Sequence, residues 1–594
     1  MPGKPAVKHI WSPLRRLFGR NEHTAILFSS VLVGLLCGAA AVLLKMAIHW
    51  IHAGVSIVAG ASGFSWLYIL FPGLGMLLSL LIVRYIVRDN IGHGVTKVLV
   101  AISKNESKIK RHNLFSSMIT SALTIGFGGS VGAEAPIVYT GAAIGSNLGR
   151  YLGLSYRNMT LLLGCGAAGA VAGIFNAPMA GVLFTLEILL FNLSMSSILP
   201  LLLSSVSATL VSYLSLGRVT PFAAGITPFH LRNFPLYLLL GILCGLVALY
   251  FLRTTLAMED RFGKMRSPYL RWALCAAGLG LLIYLFPPLY GEGYGDLVPL
   301  LNGTLPDYAA ASPLAGLMQQ TPVLILVFFL LVLLLKVFAM TFTNAGGGVG
   351  GTFGPTLFIG AMTGFVLAYG LNILRPGLVP TANFVLVGMA GLMAGVMQAP
   401  LTAIFLIAEI TGGYELLVPL LLTSAIAYGT VRIFERYSIY TKRIAQTGQL
   451  LTHDSDQAVL TLLKTSSLIE SDFIPVRQDA PLSSLVDAVS RSERNLFPVL
   501  DTRGRFQGSV SLASIRHDMF RPELYASQHV YHYMSPAQEF VYEDESMESV
   551  MRKFEKSAAW NLPVLKADGT WLGYVSKSAI FSAYRNELKD FSRE

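Results

Sequence analysis

The sequence predicts an all-α polytopic membrane protein built from two related halves with broken, partly spanning helices, followed by a small α+β region. Three observations lead there. Of 594 residues, 53% are hydrophobic and only 13% charged, with a mean hydropathy of +0.59, whereas about a quarter of a soluble chain is charged. The apolar part contains an internal repeat. The polar remainder contains a second, shorter one.

Apolar runs lie at 24–50, 64–87, 196–214, 233–255, 268–288, 321–343 and 414–433, several of them long enough to cross a hydrocarbon core of about 30 Å. Between them lie shorter, glycine-broken apolar segments, which by this reading do not span alone. The first 20 residues hold Lys4, Lys8, Arg15, Arg16 and Arg20 and no acid, so the positive-inside rule puts the N-terminus, residues 1–23, in the cytoplasm. The first apolar run lacks a small-residue cleavage site, and no cleavable signal peptide is expected. Beyond the membrane region, 24–448, the chain turns polar and mixed in charge. Lys442 and Arg443 at the membrane exit place that region in the cytoplasm too.

The net charge of +11 fits basic flanks facing anionic lipid, and nucleic acid is not an expected partner. All four cysteines, Cys37, Cys165, Cys244 and Cys275, fall in apolar segments without metal-ligand spacing, so they read as reduced packing residues. A membrane enzyme would show paired acids beside a histidine, or a Ser/His set. The membrane halves carry no such cluster, and no enzymatic activity is expected.

The internal repeat defines the architecture. "AGIFNAPMAGVLFTLEI" (172–188) lies on "AGVMQAPLTAIFLIAEI" (394–410) without a gap, and "GAEAPIVYTGAAIG" (132–145) lies on "GTFGPTLFIGAMTG" (351–364) at nearly the same offset. The halves therefore run over about 25–215 and 235–445. Duplicated halves with Gly/Pro-interrupted segments at matching positions point to a transporter whose site lies between broken helices near the midplane.

In "GGSVGAEAPIV" (128–138) the glycines stop a helix from running backward, while Pro136 suits the first turn of a new one. A helix that starts inside the membrane has first-turn N–H groups with neither acceptor nor water, and with the helix dipole they make an anion site. "GGGVGGTFGPTLF" (346–358) repeats the design with Phe353 in place of Glu134. Amides and dipoles suit transport, because full positive charges would hold an anion too tightly to release it. Glu134, itself an anion, can occupy that site and block it. The blander alternative is that the glycines serve helix packing and Glu134 pairs structurally. Glu187 and Glu409 stand at equivalent repeat positions, and their symmetry favours structural roles at helix ends. Lys336, inside an apolar run, is expected to be buried beside a polar partner.

These residues resemble the CLC family of chloride channels and proton-coupled chloride exchangers across nearly the whole chain. Its signatures GSGIP, GREGP or GKEGP, and GxFxP read here as "GHGVT" (92–96), "GAEAP" (132–136) and "GTFGP" (351–355). The resemblance implies two inverted-repeat halves, a homodimer in the plasma (inner) membrane, and chloride and related anions as the cargo, with one pathway per subunit. It implies Glu134 as the gating glutamate, an anion site lined by His93, Gly94, Gly132, Phe353 and Gly354, and Tyr440 of "YSIYTKR" as a hydroxyl donor to the anion. From the residues alone Tyr440 would be an interface anchor.

Three departures matter. His93 and Thr96 replace the signature serine and proline, so either the imidazole tunes anion preference and pH response, or it turns away and only backbone amides count. Ala133 replaces a basic residue. Ile188 stands where exchangers commonly carry an internal proton-relaying glutamate, and an isoleucine cannot carry a proton. This favours channel-like or weakly coupled conduction, with a proton-coupled antiporter using another route as the alternative.

In the tail, "FPVLDTRGRFQGSVSLASI" (497–515) aligns with "LPVLKADGTWLGYVSKSAI" (562–580). This resembles a cytoplasmic α+β CBS pair, expected at 465–522 and 523–594 after a linker at 449–464. Nucleotide-binding CBS modules carry an Asp three residues after a strand-end Ser or Thr. Ser511 and Ser576 keep the hydroxyl, but Ser514 and Ala579 replace the acid. An adenine nucleotide is thus a weak expectation beside structural, dimer-supporting or gating-coupled roles, and no other cofactor or metal is expected.

Overall fold

The computed structural model of the protein describes residues 22–62, 67–189, 195–217, 225–301, 312–318, 321–446, 463 and 465–592. The expected N-terminal segment and linker lie outside these residues except at Glu22, His23 and Leu463. The chain divides into two compact units, Met1–Leu451 and Thr452–Glu594.

The first unit is helical. Its first half comprises α1 (Glu22–Ser62), α2 (Leu67–Leu81), α3 (Gly94–Lys104), α4 (Ser116–Gly126), α5 (Glu134–Leu152), α6 (Tyr156–Phe175), α7 (Pro178–Ile188) and α8 (Met195–Leu216). The second comprises α9 (Phe234–Gly263), α10 (Pro268–Leu285), α11 (Tyr294–Leu301), α12 (Pro322–Ala345), α13 (Phe353–Leu374), α14 (Thr381–Met397), α15 (Pro400–Thr411) and α16 (Leu417–Phe434), and α17 (Ile439–Gln446) follows. The halves pair off in order. As α5 packs on α6, α1 on α8 and α3 on α5, so α13 packs on α14, α9 on α16 and α11 on α13. Among the described residues nine helices are long and apolar enough to cross a membrane, so the protein is a multi-pass membrane protein.

One expectation needs correction. The glycine-rich segments between the long apolar runs were expected to be too short to span, yet α6 has 20 residues and α13 has 22, both continuous and apolar. Glycine costs an isolated helix about 1 kcal/mol, but here it is repaid by close helix packing. A Cβ on Gly141 would overlap the Gly166 carbonyl, and one on Gly360 would meet that of Gly388 at 2.5 Å.

The chain does break at 128–133 and 346–352, and there each half satisfies the other's backbone. Gly132 N–H donates to the Gly351 carbonyl at 3.1 Å and Gly351 N–H to the Gly132 carbonyl at 2.7 Å. Ser130 N–H donates to Thr343 Oγ1 at 3.1 Å, and its repeat mate Val349 N–H donates to Thr124 Oγ1 at 3.0 Å. The short helices α7 and α15 lie antiparallel and cap each other. Glu187, at the end of α7, accepts from Leu401 N–H at 3.0 Å and Thr402 N–H at 2.7 Å, while Glu409, near the end of α15, accepts from Met179 and Ala180 N–H at 3.0 and 2.9 Å. Such reciprocity is what two inverted halves related by a two-fold axis require. Both glutamates thus serve helix ends, and the four buried cysteines are free thiols.

The second unit repeats one pattern twice. β1 (Val476–Arg477), α18 (Leu482–Arg491), β2 (Leu496–Leu500) and β3 (Phe506–Ser511) are followed by β4 (Val541–Tyr542), α19 (Met547–Ser557), β5 (Asn561–Leu565), β6 (Trp571–Ser576) and α20 (Lys577–Ser592). Each sheet has a parallel outer pair and an antiparallel hairpin, with Phe497 opposite Val510 and Leu562 opposite Val575. The two hairpin turns join through Phe506 N–H to Gly569 O and Trp571 N–H to Gly504 O. The first core takes in residues on both sides of the expected 522/523 boundary, among them Val530, Tyr533 and Met534, while Leu463, Leu468 and Ile469 pack on the second. Ser511 Oγ accepts from Ser514 N–H at 3.2 Å and Ser576 Oγ from Ala579 N–H at 3.0 Å, so both hydroxyls act as helix caps.

Removing one reciprocal cap strands amides where water is scarce, at about 1–3 kcal/mol for each donor. Glu187→Ala should lower the Tm of the detergent-solubilised protein more than Glu409→Ala, because Glu187 also accepts from the Thr402 hydroxyl at 2.7 Å. Equal, negligible shifts in a thermal melt would contradict the capping role.

Candidate anion site

Three helix starts converge around the glycine loops. α5 opens at Glu134 and α13 at Phe353, held together by the Gly132–Gly351 pair. The start of α3 lies so close to α5 that a Cβ on Gly94 would overlap the Ala135 carbonyl. First-turn amides cannot bond within their own helix, so this convergence collects N–H donors and three positive dipole ends.

The Glu134 carboxylate sits among them, 3% exposed. Its Oε2 accepts from Gly354 N–H at 3.3 Å and its Oε1 from the Tyr294 hydroxyl at 2.8 Å. A glutamate side chain therefore lies on the first turn of the opposite half's helix, where a free anion would find the same amide. A Cβ at Gly132 would collide with this carboxylate, so the loop glycine serves space as well as conformation. Phe353 is buried with its ring 5.2 Å from that of Phe175 and 6.4 Å from that of Phe184.

Tyr440 is drawn in from α17, which packs on α3 and α14. It is 2% exposed, and its hydroxyl donates to Met397 Sδ at 3.7 Å, a weak acceptor that leaves the proton available to a better one. His93 adopts a left-handed conformation, φ 56°, as the residue before α3. Its Nε2 lies 3.8 Å from Glu259 Oε1, and Glu259 in turn takes both arms of the Arg443 guanidinium at 3.1 and 2.5 Å. The imidazole is thus directed at an ion pair, leaving the backbone at 93–94 for the α3 helix start. Ile188 is buried in the apolar core, directly after the capping Glu187.

Lys336, fully buried, donates to the carbonyls of Gly291 at 2.8 Å and Leu289 at 3.4 Å and stands 4.7 Å over the Phe358 ring. It clamps the turn that leads into Tyr294. Reading the sequence alone missed Tyr294, Glu292, Glu259 and Arg443 as neighbours of the site. A signal existed for the first two: "GEGYG" (291–295) puts an acid among glycines before a helix start, as "GAEAP" does. Glu259 and Arg443 are far apart in the chain, and only folding brings them together.

The profile of the voltage gated chloride channel family matches residues 74–432. The chain belongs to that family. A ClcB-like protein of Ralstonia nicotianae is 30% identical over 412 residues, 67% of this chain and 91% of its own. The H(+)/Cl(-) exchange transporter ClcA of Cronobacter sakazakii is 28% identical over 454 residues, 73% of this chain and 92% of its own. Among solved structures, a slow cyanobacterial Cl-/H+ antiporter superposes with a TM-score of 0.61 at 24% identity, covering 71% of this chain and 97% of that one. A eukaryotic CLC transporter does so with a TM-score of 0.58 at 19% identity, covering 93% and 98%. The CLC fold assigned to the membrane unit accordingly rests on both sequence and shape.

The packing of Gly132 against Glu134 supplies a test inside this CLC fold. Gly132→Ala should destabilise the protein by about 1–3 kcal/mol, as overpacking does. The loss should shrink when Glu134→Ala makes room, a coupling read from the Tm of the two single variants and the double variant.

Proposed function

We propose that the protein conducts chloride and related anions across the membrane through a pathway gated by Glu134, as a channel or with only weak proton coupling. The observation that carries this reading is the Glu134 carboxylate lying on the Gly354 amide at a helix start, held there by an amide and the Tyr294 hydroxyl. A tethered anion competes with a free one for those donors, so the deprotonated side chain blocks the path and protonation or displacement clears it. The anion site is formed by the backbone at His93, Gly94, Gly132, Phe353 and Gly354 together with the Tyr440 hydroxyl. The apolar burial of Ile188 supports weak coupling, since no proton acceptor stands at that position.

Proton-coupled antiport is a second reading with support of its own. ClcA is named an H(+)/Cl(-) exchange transporter, and the cyanobacterial relative is a Cl-/H+ antiporter. That reading needs a proton route that avoids Ile188.

The protein is further proposed to be a homodimer in the inner plasma membrane with both termini cytoplasmic, and its tail a CBS pair. The twofold β-α-β-β pattern, the joined hairpin turns and a eukaryotic CLC match extending over 93% of the chain support the tail assignment. With Ser514 and Ala579 in place of ribose-binding acids, the tail is assigned a structural or gating-coupled role, and the melting temperature should not move with ATP, ADP or AMP.

Chloride-loaded proteoliposomes with simultaneous pH recording separate the two transport readings. Chloride flux without proton movement is expected, and uphill proton movement driven by the chloride gradient would sink the weakly coupled reading. Glu134→Gln mimics the protonated gate and should abolish the pH dependence of flux. Tyr294→Phe removes a hydrogen bond to the blocking carboxylate, worth about 1.5–3 kcal/mol when the acceptor is charged. Where the blocked state dominates, chloride flux should rise by about tenfold or more.

A further inference from the structure

The turn before α11 is the repeat counterpart of the turn before α3, and both carry a Gly-x-Gly: Gly92-His93-Gly94 in one half and Gly291-Glu292-Gly293 in the other. Helix α3 opens directly after the left-handed His93, whereas α11 opens at Tyr294 after the left-handed Gly293, so Glu292 stands two residues before its helix. Its surroundings are specific. Oε1 accepts from the Ala133 N–H at 3.0 Å, the amide immediately before the gating residue. Two positions on, Tyr294 donates to Glu134 itself at 2.8 Å. The turn cannot drift, because Lys336 of α12 grips the Gly291 carbonyl at 2.8 Å. Glu292 is partly exposed, whereas Glu134 is buried.

We propose that Glu292 forms a carboxyl pair with Glu134 and sets the pH at which the gate opens. Glu292 bonds the Ala133 amide and the Glu134 carboxylate lies against Gly132, so the two acids meet at adjacent residues of one loop, and like charges placed so disfavour double ionisation of the pair. The opposing charge comes from Lys45 of α1, which interacts electrostatically with both carboxylates, and from Lys336, which acts on Glu292. The other titratable groups facing the pair are the hydroxyls of Tyr294 on α11 and Tyr440 on α17. Tyr290, in the same turn, has its ring 5.9 Å from that of His52 on α1. Since Ala133 removes the basic residue common before this glutamate and Ile188 removes the internal acid, Glu292 becomes the acidic neighbour through which the gate senses protons. Glu292 is a positioning and tuning residue, for it touches the gate's backbone rather than the anion.

The inference rests on Glu134 being the gate, and the experiment separates the two claims. Chloride efflux from proteoliposomes is measured against external pH for native protein, Glu134→Gln, Glu292→Gln and Lys45→Met. Glutamine keeps an oxygen for the Ala133 amide but no charge, so a purely structural Glu292 would leave the midpoint of the pH profile in place. The expected result is an acid shift of about one pH unit in Glu292→Gln, because Glu134 then ionises more easily and needs a lower pH to be protonated and open. Lys45→Met should shift the midpoint the other way. If Glu292→Gln does not fold, Glu292→Ala replaces it in the same assay, and an unmoved or alkaline-shifted midpoint there overturns the pairing. Retained pH dependence in Glu134→Gln would overturn the gate. A pH-insensitive Glu134→Gln beside an unmoved or alkaline-shifted Glu292→Gln would overturn only the role of Glu292.

Discussion

Two glycine loops, one from each half, meet back to back through a pair of hydrogen bonds between Gly132 and Gly351, and the geometry of the site descends from that contact. A backbone broken in hydrocarbon must find partners, since each buried amide or carbonyl left bare costs several kcal/mol. The inverted repeat solves this for both loops at once. Thr343 serves Ser130 as Thr124 serves Val349, and the donors left over are the first-turn amides of the helices that follow. They face the same place because a two-fold axis brings the loops together.

The same economy explains the buried charges. Glu187 and Glu409 cap each other's helices, Lys336 binds backbone carbonyls, and Glu259 and Arg443 neutralise each other. Each has its requirement met by fixed partners. Glu134 differs, because its partners are one tyrosine hydroxyl and an amide that a mobile anion can equally use. A carboxylate held by replaceable bonds can move, as the gating role proposed for Glu134 requires.

His93 and Glu292 show how one scaffold yields different chemistry at its two ends. Both follow the first glycine of a Gly-x-Gly turn at a helix start. The imidazole meets the Glu259–Arg443 pair, while the carboxylate reaches the backbone beside Glu134.

Much of this was legible in the chain itself. Hydropathy specified a multi-pass membrane protein, and the matched Ala-Pro and Glu-Ile positions specified duplicated halves. Glycines before Pro136 and Pro355 marked where helices break, since both residues act on local backbone geometry. Local pattern misjudged the length of α6 and α13, because the packing that compensates for helical glycine belongs to the neighbouring helix. It was also silent on Tyr294, Glu259 and Arg443. What the sequence by itself determined was the set of local events: where helices start, which faces are apolar, and where an acid stands among glycines. Only the tertiary structure decided which amide Glu134 touches, which way His93 turns and which second carboxylate stands beside Glu134, because those contacts join residues 159 to 220 positions apart and are made by the docking of the halves.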